Sequence, residues 1–394
     1  MKLFGRHYES GDPMSIEIAQ GKISRLTPFP AGEDNVPHWP WIAPGLFDIQ
    51  VNGYGGQEFS SADITPENVS EIIRTYDAFG VTKSCPTLFT SSFEVLRHSL
   101  KTIVAARDLS PDVARRIAGI HVEGPYLSKD DGPRGAHPLE HCRPPDWDEY
   151  QRLQEAADGR IRILTMSVEF DTSPGFIKRV VAGGVVVAIG HTSADPAHIR
   201  AAVDAGARLS THLGNGCHLV LPVHANYFWD QLAEDRLATS LIVDGRHLPA
   251  AVVKTFVRVK TPQRCILISD MSGWSGRPPG RYKAGHGELE ILPDGSLVVA
   301  GQRQLLAGAS RPIGAGVANV MRFAGVSLGE AIRMATVNPA RLLSMEPRRL
   351  APGEPADLVF FDIAEPEHEG DLPKFAVRST VAGGEVVWGT PWQP

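Results

Sequence analysis

Cysteine is scarce. Four occur in 394 residues, at 85, 142, 217 and 265, and none forms a Cys-x-x-Cys pair. That excludes a disulfide framework and a zinc ribbon, and it predicts a reducing, cytoplasmic setting. No run of about 18 consecutive apolar residues occurs, so no membrane span is expected. The opening MKLFGRHYES lacks the apolar stretch of a signal peptide. Positive charge is not in excess either: 39 Lys and Arg against 45 Asp and Glu give a net charge of −6, which argues against nucleic acid or an anionic membrane as partner. Internal repeats, low-complexity tracts and linkers are missing. The most local shortage lies between Thr211 and Arg236, where neither Lys nor Arg appears but His212, His218 and His224 do.

What is present is ordinary in bulk and ordered in detail. Hydrophobic residues make up 42% and charged residues 21%, as in soluble globular proteins. Eight short apolar runs recur: LFDIQV (46–51), VTKSCPT (81–87), IAGIHVE (117–123), IRILTMSV (161–168), VVVAIGH (185–191), ARLSTHL (207–213), SLIVD (240–244) and CILISD (265–270). They do not alternate strictly, as expected of parallel strands buried on both faces. Helical segments separate many of them. TPENVSEIIRTYDAFG offers Thr65 as cap, Pro66 in the first turn and Gly80 as stop; DPAHIRAAVDAG repeats the design with Asp195, Pro196 and Gly206. Eightfold strand–helix alternation predicts an α/β fold, a (β/α)8 TIM-type barrel over residues 44–349.

The ends read differently. Residues 1–43 contain SIEIAQGKISRL, a hairpin with Gly21 in its turn, and residues 350–394 contain ADLVFFDI and STVAGGEVVWG. Neither end can bury a core alone, so the two are expected to combine into one small β-sandwich domain beside the barrel. A β insert over about residues 281–303 holds a hairpin turning at Asp294-Gly295.

Barrel active sites lie at the C-terminal ends of the strands. Glu123, His191 and His212 end the third, fifth and sixth runs, with His121 also at the end of the third, beside Gln50 and Asn52 from the first, Asp244 and His247 after the seventh and Asp270 ending the eighth. A lone histidine at a strand end is more often a hydrogen-bonded structural residue. One carboxylate and two imidazoles at one rim, however, make a three-ligand metal set with an open position, which can supply hydroxide at neutral pH. Asp270 is placed to take a proton from water and pass it to a leaving amine. His218 and His224 fall beyond the sixth strand, in a loop where a solvated position or a substrate contact fits better than a metal.

These residues resemble the amidohydrolase superfamily and, within it, the branch of N-acetylglucosamine-6-phosphate deacetylases. PGLFDIQVNGYGG (44–56), HVEGPYL (121–127), GAH (135–137), GHTSA (190–194), THLGN (211–215), VDGRHLP (243–249), ISD (268–270), LAGAS (306–310), ATVNPARLL (335–343) and PGEPADLVFFD (352–362) follow in that branch's order. The resemblance implies one divalent metal on Glu123, His191 and His212, with zinc as the default and iron, cobalt or manganese as alternatives. It implies Asp270 as general base and then acid, and His137 as the group polarising the acetyl carbonyl. It places His247 on the sugar and Asn215 with the Gly216 backbone at the substrate's far end. It also implies a homodimer. Gln50 and Asn52 stand where many amidohydrolases carry His-x-His, and amides are poor zinc ligands, which argues against a second metal. The fourth run has no Lys to bridge two metals.

One departure concerns the substrate. In the branch's known members a basic residue follows the sixth strand and grips the substrate phosphate; here the loop lacks Lys and Arg. His218 and His224 could contribute there, as could Arg246, Arg277, Arg281 or Arg311. The expected substrate is therefore an N-acetylated amino sugar, N-acetylglucosamine 6-phosphate first, with a non-phosphorylated or different N-acyl compound as the alternative and a non-catalytic binding module as the contrasting class.

Overall fold

The eight apolar runs become eight strands of one sheet: Leu46–Val51, Val81–Phe89, Ile120–Glu123, Ile161–Met166, Val186–Ile189, Leu209–Ser210, Ala238–Ile242 and Cys265–Ile268, called barrel strands 1 to 8 below. Every adjacent pair is parallel. The computed structural model describes residues 1–29, 38–284, 287–366, 368 and 370–394, with side chains at all of these except 284 and 302–305. Residues 30–37 of the N-terminal segment and 285–286 of the insert, named above within larger segments, lie outside the described residues. All residues of barrel strands 1, 3 and 8 are buried, which is why their sequences show no alternation.

The ring closes between strands 8 and 1 at the rim where the candidate residues sit. Val51 and Met271 form a parallel bridge. The Asp270 N–H donates to the Gln50 carbonyl at 2.9 Å, and the Asn52 N–H donates to the Met271 carbonyl at 2.8 Å. The fold is thus a TIM-type barrel, as its strand pattern predicts.

The punctuation residues act as expected. The helix Pro66–Thr75 starts on Thr65, whose hydroxyl accepts the Asn68 N–H while the Asn68 side chain accepts the Thr65 N–H. A short 3-10 turn, Tyr76–Phe79, then leads to Gly80 at φ 73°. The helix Pro196–Ala205 starts on Asp195 and stops on Gly206 at φ 117°. Among the described residues no helix is long and apolar enough to cross a membrane.

The chain ends combine in a single seven-stranded sheet. Its order is Glu385–Gly389, Lys374–Ala382, Leu358–Ala364, Trp41–Pro44, Lys2–His7, Pro13–Ala19 and Lys22–Pro28, antiparallel except for the pair Lys2–His7 with Trp41–Pro44. Strand periodicity divides its faces. Leu358 and Phe360 join Leu3, Ile16 and Ile23 in a local core, whereas Val359 and Phe361 join the large core shared with the barrel. The insert is larger than one hairpin. Gly280–Ala284, Gly287–Ile291, Leu297–Val299 and Gln302–Leu306 form a four-stranded antiparallel sheet. Its central turn holds Gly295 at φ 81°, with the Gly295 N–H donating to the Leu292 carbonyl at 2.8 Å.

Asp48, inside barrel strand 1, carries a pH prediction. Its Oδ1 accepts the N–H groups of Gln50 at 3.3 Å and Ser269 at 3.2 Å. Burial pushes its carboxyl up from 3.8 to about 7, against those hydrogen bonds. The folded state therefore keeps a proton that the unfolded chain releases. This stabilisation is complete below the unfolded value near 3.8 and is lost as pH rises through about 7. Asp48→Asn is expected to flatten the decline of Tm across that window. Equal slopes in variant and wild type would assign the decline to other groups.

Candidate active site

A cavity of about 430 Å³ opens at the C-terminal rim of the barrel. Glu123, His191, His212, Asp270, His137, His247, Asn52, Asn215, Gly216 and Arg246 all line it. Its centre is a convergence of three atoms. Glu123 Oε1 lies 3.2 Å from His191 Nε2 and 2.9 Å from His212 Nε2, and the two imidazole nitrogens are 3.1 Å apart. Both His191 and His212 fall just beyond their strands with left-handed backbones, φ 50° and 29°, which non-glycine residues adopt at a cost.

The hydrogen bonds behind these atoms test whether a metal fits. His191 Nδ1 lies 2.8 Å from the Pro133 carbonyl, which can only accept, so Nδ1 holds the proton and a neutral ring leaves Nε2 as a bare lone pair aimed at the cluster. His212 Nδ1 has no hydrogen-bond partner among the described residues. Burial alone would raise the Glu123 carboxyl, but the two imidazoles reverse this and hold it well below the usual carboxylate range. Three buried ligand atoms within 4.8 Å of one another, one carboxylate oxygen and two imidazole nitrogens, suit a divalent cation, which would take the place of the protons between them. Gly216, at φ 56°, permits this packing: a Cβ there would stand 2.6 Å from His191 Nδ1.

Asp270 stands beside the cluster, also with a left-handed backbone at φ 49°. Its Oδ1 accepts from Asn52 Nδ2 at 2.9 Å and Gln50 Nε2 at 3.4 Å, while the same Gln50 amide reaches Glu123 Oε1 at 3.0 Å. The Gln50 amide thus bridges the two carboxylates, and the Asn52 amide adds a second bond to Asp270. Burial, then the negative charge of Glu123, push the Asp270 carboxyl up to about 7, against the pull of His212 and Asn52. A carboxyl in that range can both take and release a proton near neutrality.

Two further histidines are positioned by their neighbours. The His137 ring meets the edge of His191 at 4.3 Å between centroids. His247 Nδ1 lies 2.9 Å from Asp244 Oδ2, and Asp244 Oδ1 accepts the N–H groups of Arg246 and His247 at 2.9 and 3.0 Å.

Not every candidate joins the cavity. His121 spends both ring nitrogens inside the barrel, at 3.0 Å on the Ile49 carbonyl and 2.8 Å on the Thr165 hydroxyl. His218 lies against the Tyr227 hydroxyl, at 2.9 Å from its N–H and 3.1 Å from Nδ1, and His224 is exposed; neither lines the cavity. Cys217 and Leu219 line it in their place. Tyr227 is buried, and its hydroxyl fastens the loop by accepting the His218 N–H. His218→Ala and His224→Ala are accordingly expected to keep wild-type metal content by elemental analysis; depletion in either would overturn the three-residue set. Sequence reasoning missed Glu58, which lines the cavity and whose carboxyl burial raises to about 7. It also missed Pro133, whose contribution is a backbone carbonyl that no residue type announces.

Against known proteins, residues 41–387 match the model of the amidohydrolase family. The chain is 32% identical over 360 residues to an N-acetylglucosamine-6-phosphate deacetylase of Bos taurus, covering 88% of this chain and 83% of that one. It is 28% identical to an N-acetylgalactosamine-6-phosphate deacetylase of Shewanella sp. (strain ANA-3), covering 88% and 87%. Among solved structures, an N-acetyl-D-glucosamine-6-phosphate deacetylase of Mycobacterium smegmatis superposes with a TM-score of 0.85 at 30% identity, covering 98% of this chain and 100% of that one.

Proposed function

The chain belongs to the amidohydrolase family, and on that premise we propose that it hydrolyses the acetamide of N-acetylglucosamine 6-phosphate to glucosamine 6-phosphate and acetate. The observation that carries this reading is the convergence of Glu123, His191 and His212 beside Asp270 at the barrel rim, in a chain similar over most of its length to such deacetylases. We assign the metal to those three residues and take it to be zinc. When bound, such a cation supplies Lewis acidity, polarising a carbonyl and acidifying water.

The chain's own residues do the rest. Asp270 accepts a proton from the attacking water as the new C–O bond forms. It then delivers that proton to the sugar nitrogen as the C–N bond breaks, so acetate and the free amine leave with no covalent enzyme intermediate. Gln50 and Asn52 fix Asp270 through Oδ1, leaving Oδ2 for the proton. His137 faces the carbonyl oxygen and stabilises charge there. The Asp244 carboxylate sets the ring of His247, which contacts the sugar, and Asn215 with Gly216 borders the rest of the substrate.

We place the enzyme in the cytoplasm, where its four free cysteines stay reduced. We also propose a homodimer, which the exposed apolar side chains of Leu219, Val220 and Val223 in the strand-6 loop support. A kinetic panel tests the reaction. Release of free amine is expected from N-acetylglucosamine 6-phosphate first, with its galacto epimer and the unphosphorylated sugar as comparison arms. Turnover of N-acyl amino acids with none of any N-acetylhexosamine or its phosphate would sink the proposal.

A further inference from the structure

The loop after strand 6 carries no cation before Arg236, and Arg236 is tied up in ion pairs with Asp204 at 2.9 Å and Glu234 at 2.7 Å. A phosphorylated substrate needs its charge met elsewhere. A second cavity of about 210 Å³ adjoins the catalytic one, and Arg246 lines both. Arg277 and Arg311 line the second cavity as well, with Asp294 as its one acidic side chain. Among the described lining residues, three guanidinium groups against one carboxylate leave an excess of two positive charges in a small, partly open cavity.

Most of the local counter-charge is already committed. The Asp294 carboxylate accepts from the Ser296 N–H and hydroxyl, both at 2.9 Å, and stands 3.9 Å from Arg246 Nε. Arg246 itself is steered by neutral acceptors: Nη1 donates to the Ser310 hydroxyl at 2.8 Å and Nη2 to the Asp294 carbonyl. Arg311 is half-buried, and its Nη1 is 3.4 Å from the Asp244 carbonyl. Arg277 makes no ion pair among the described residues. The insert's turn forms one wall, and it has a glycine where Arg246 lies: a Cβ on Gly295 would stand 3.7 Å from Nη1. Arg246 directly precedes His247, so one loop carries both the shared arginine and the proposed sugar contact.

We propose that Arg246, Arg311 and Arg277 form the subsite that holds the substrate's phosphate monoester, replacing the cation missing from the strand-6 loop. Guanidinium groups suit this ligand because their N–H pairs match the spacing of phosphate oxygens. The inference rests on the deacetylase reading only for what the phosphate is attached to; the anion site itself stands apart from it.

The test therefore has two arms, both on metal-loaded protein. In the first, inorganic phosphate is titrated calorimetrically into wild type, Arg311→Gln and the double variant Arg246→Gln/Arg311→Gln. Affinity is expected to fall about tenfold or more in the double variant at equal metal content, with Arg311→Gln intermediate. Phosphate bound at the metal centre would be insensitive to these changes, so equal affinities overturn the proposal. Should the double variant melt early, the exposed Arg277→Gln takes its place, and an undiminished phosphate affinity there overturns the site as drawn. In the second arm, the preference in kcat/KM for N-acetylglucosamine 6-phosphate over N-acetylglucosamine is expected to collapse by a similar factor, chiefly through KM. A retained preference overturns the subsite. Loss of phosphate binding in a protein that deacetylates neither sugar would uphold the anion site and defeat the deacetylase reading instead.

Discussion

Asp270→Asn is expected to retain its metal and lose turnover by about 100-fold or more. The substitution isolates the proton. Asparagine keeps the shape and an Oδ1 that can still accept from Asn52, whose Nδ2 lies 2.9 Å from Asp270 Oδ1 in the wild type. Asparagine is also among the non-glycine residues that best tolerate the left-handed backbone at this position, φ 49°. What it cannot do is take a proton from water. Steady-state kinetics with elemental analysis on the same preparation read both quantities. A variant within a few-fold of wild type would remove Asp270 from acid–base duty. One that loses metal along with activity would make it a ligand instead.

His212→Ala is expected to empty the metal centre. Its Nε2 is 2.9 Å from Glu123 Oε1 and 3.1 Å from His191 Nε2, so its removal leaves two donors of three. Losing a mere supporting partner of a ligand costs about 10- to 100-fold in metal affinity, and losing the ligand itself should exceed that. Metal content after gel filtration is expected to fall well below one equivalent per chain, with activity returning only in excess metal. A variant that still carries a full equivalent would show that the cation sits elsewhere.

The fold was readable because its signals are local and repeated. Barrel strands are continuous apolar runs, helix starts carry Thr65 or Asp195 with a following proline, and stops carry Gly80 or Gly206. The convergence of the principal candidate residues was readable because a barrel brings strand ends together whatever their separation in sequence. The limits were equally physical. A strand end does not reveal which way a side chain turns, so His121 was grouped with the rim although its nitrogens are engaged inside the barrel. The Pro133 carbonyl that fixes His191 is backbone, and every residue has one. His218 and His224 share their loop with pocket-lining residues, yet a turn of chain separates a residue near the cavity from one in it. Arg246, Arg277, Arg281 and Arg311 could be named as candidate phosphate contacts, but no spacing rule shows that the first, second and fourth meet in one cavity, because they do so only after the insert folds against the strand-7 loop.

The seam between barrel strands 1 and 8 gives the chain an order of assembly. Every proposed metal ligand lies at or just beyond the end of strand 3, 5 or 6, so a chain emerging from the ribosome has made its complete ligand set well before residue 270. The amides that hold Asp270 wait on strand 1, more than 200 residues upstream. The last barrel strand to be synthesised must dock on the first barrel strand, and that docking sets the proton carrier beside the cluster. An unfinished chain could sequester metal but could not hydrolyse amides, so activity certifies that the ring is shut. Ribosome-bound chains stalled between strands 6 and 8 should accordingly take up metal while remaining inactive, and amidase activity in such a stalled chain would contradict this order.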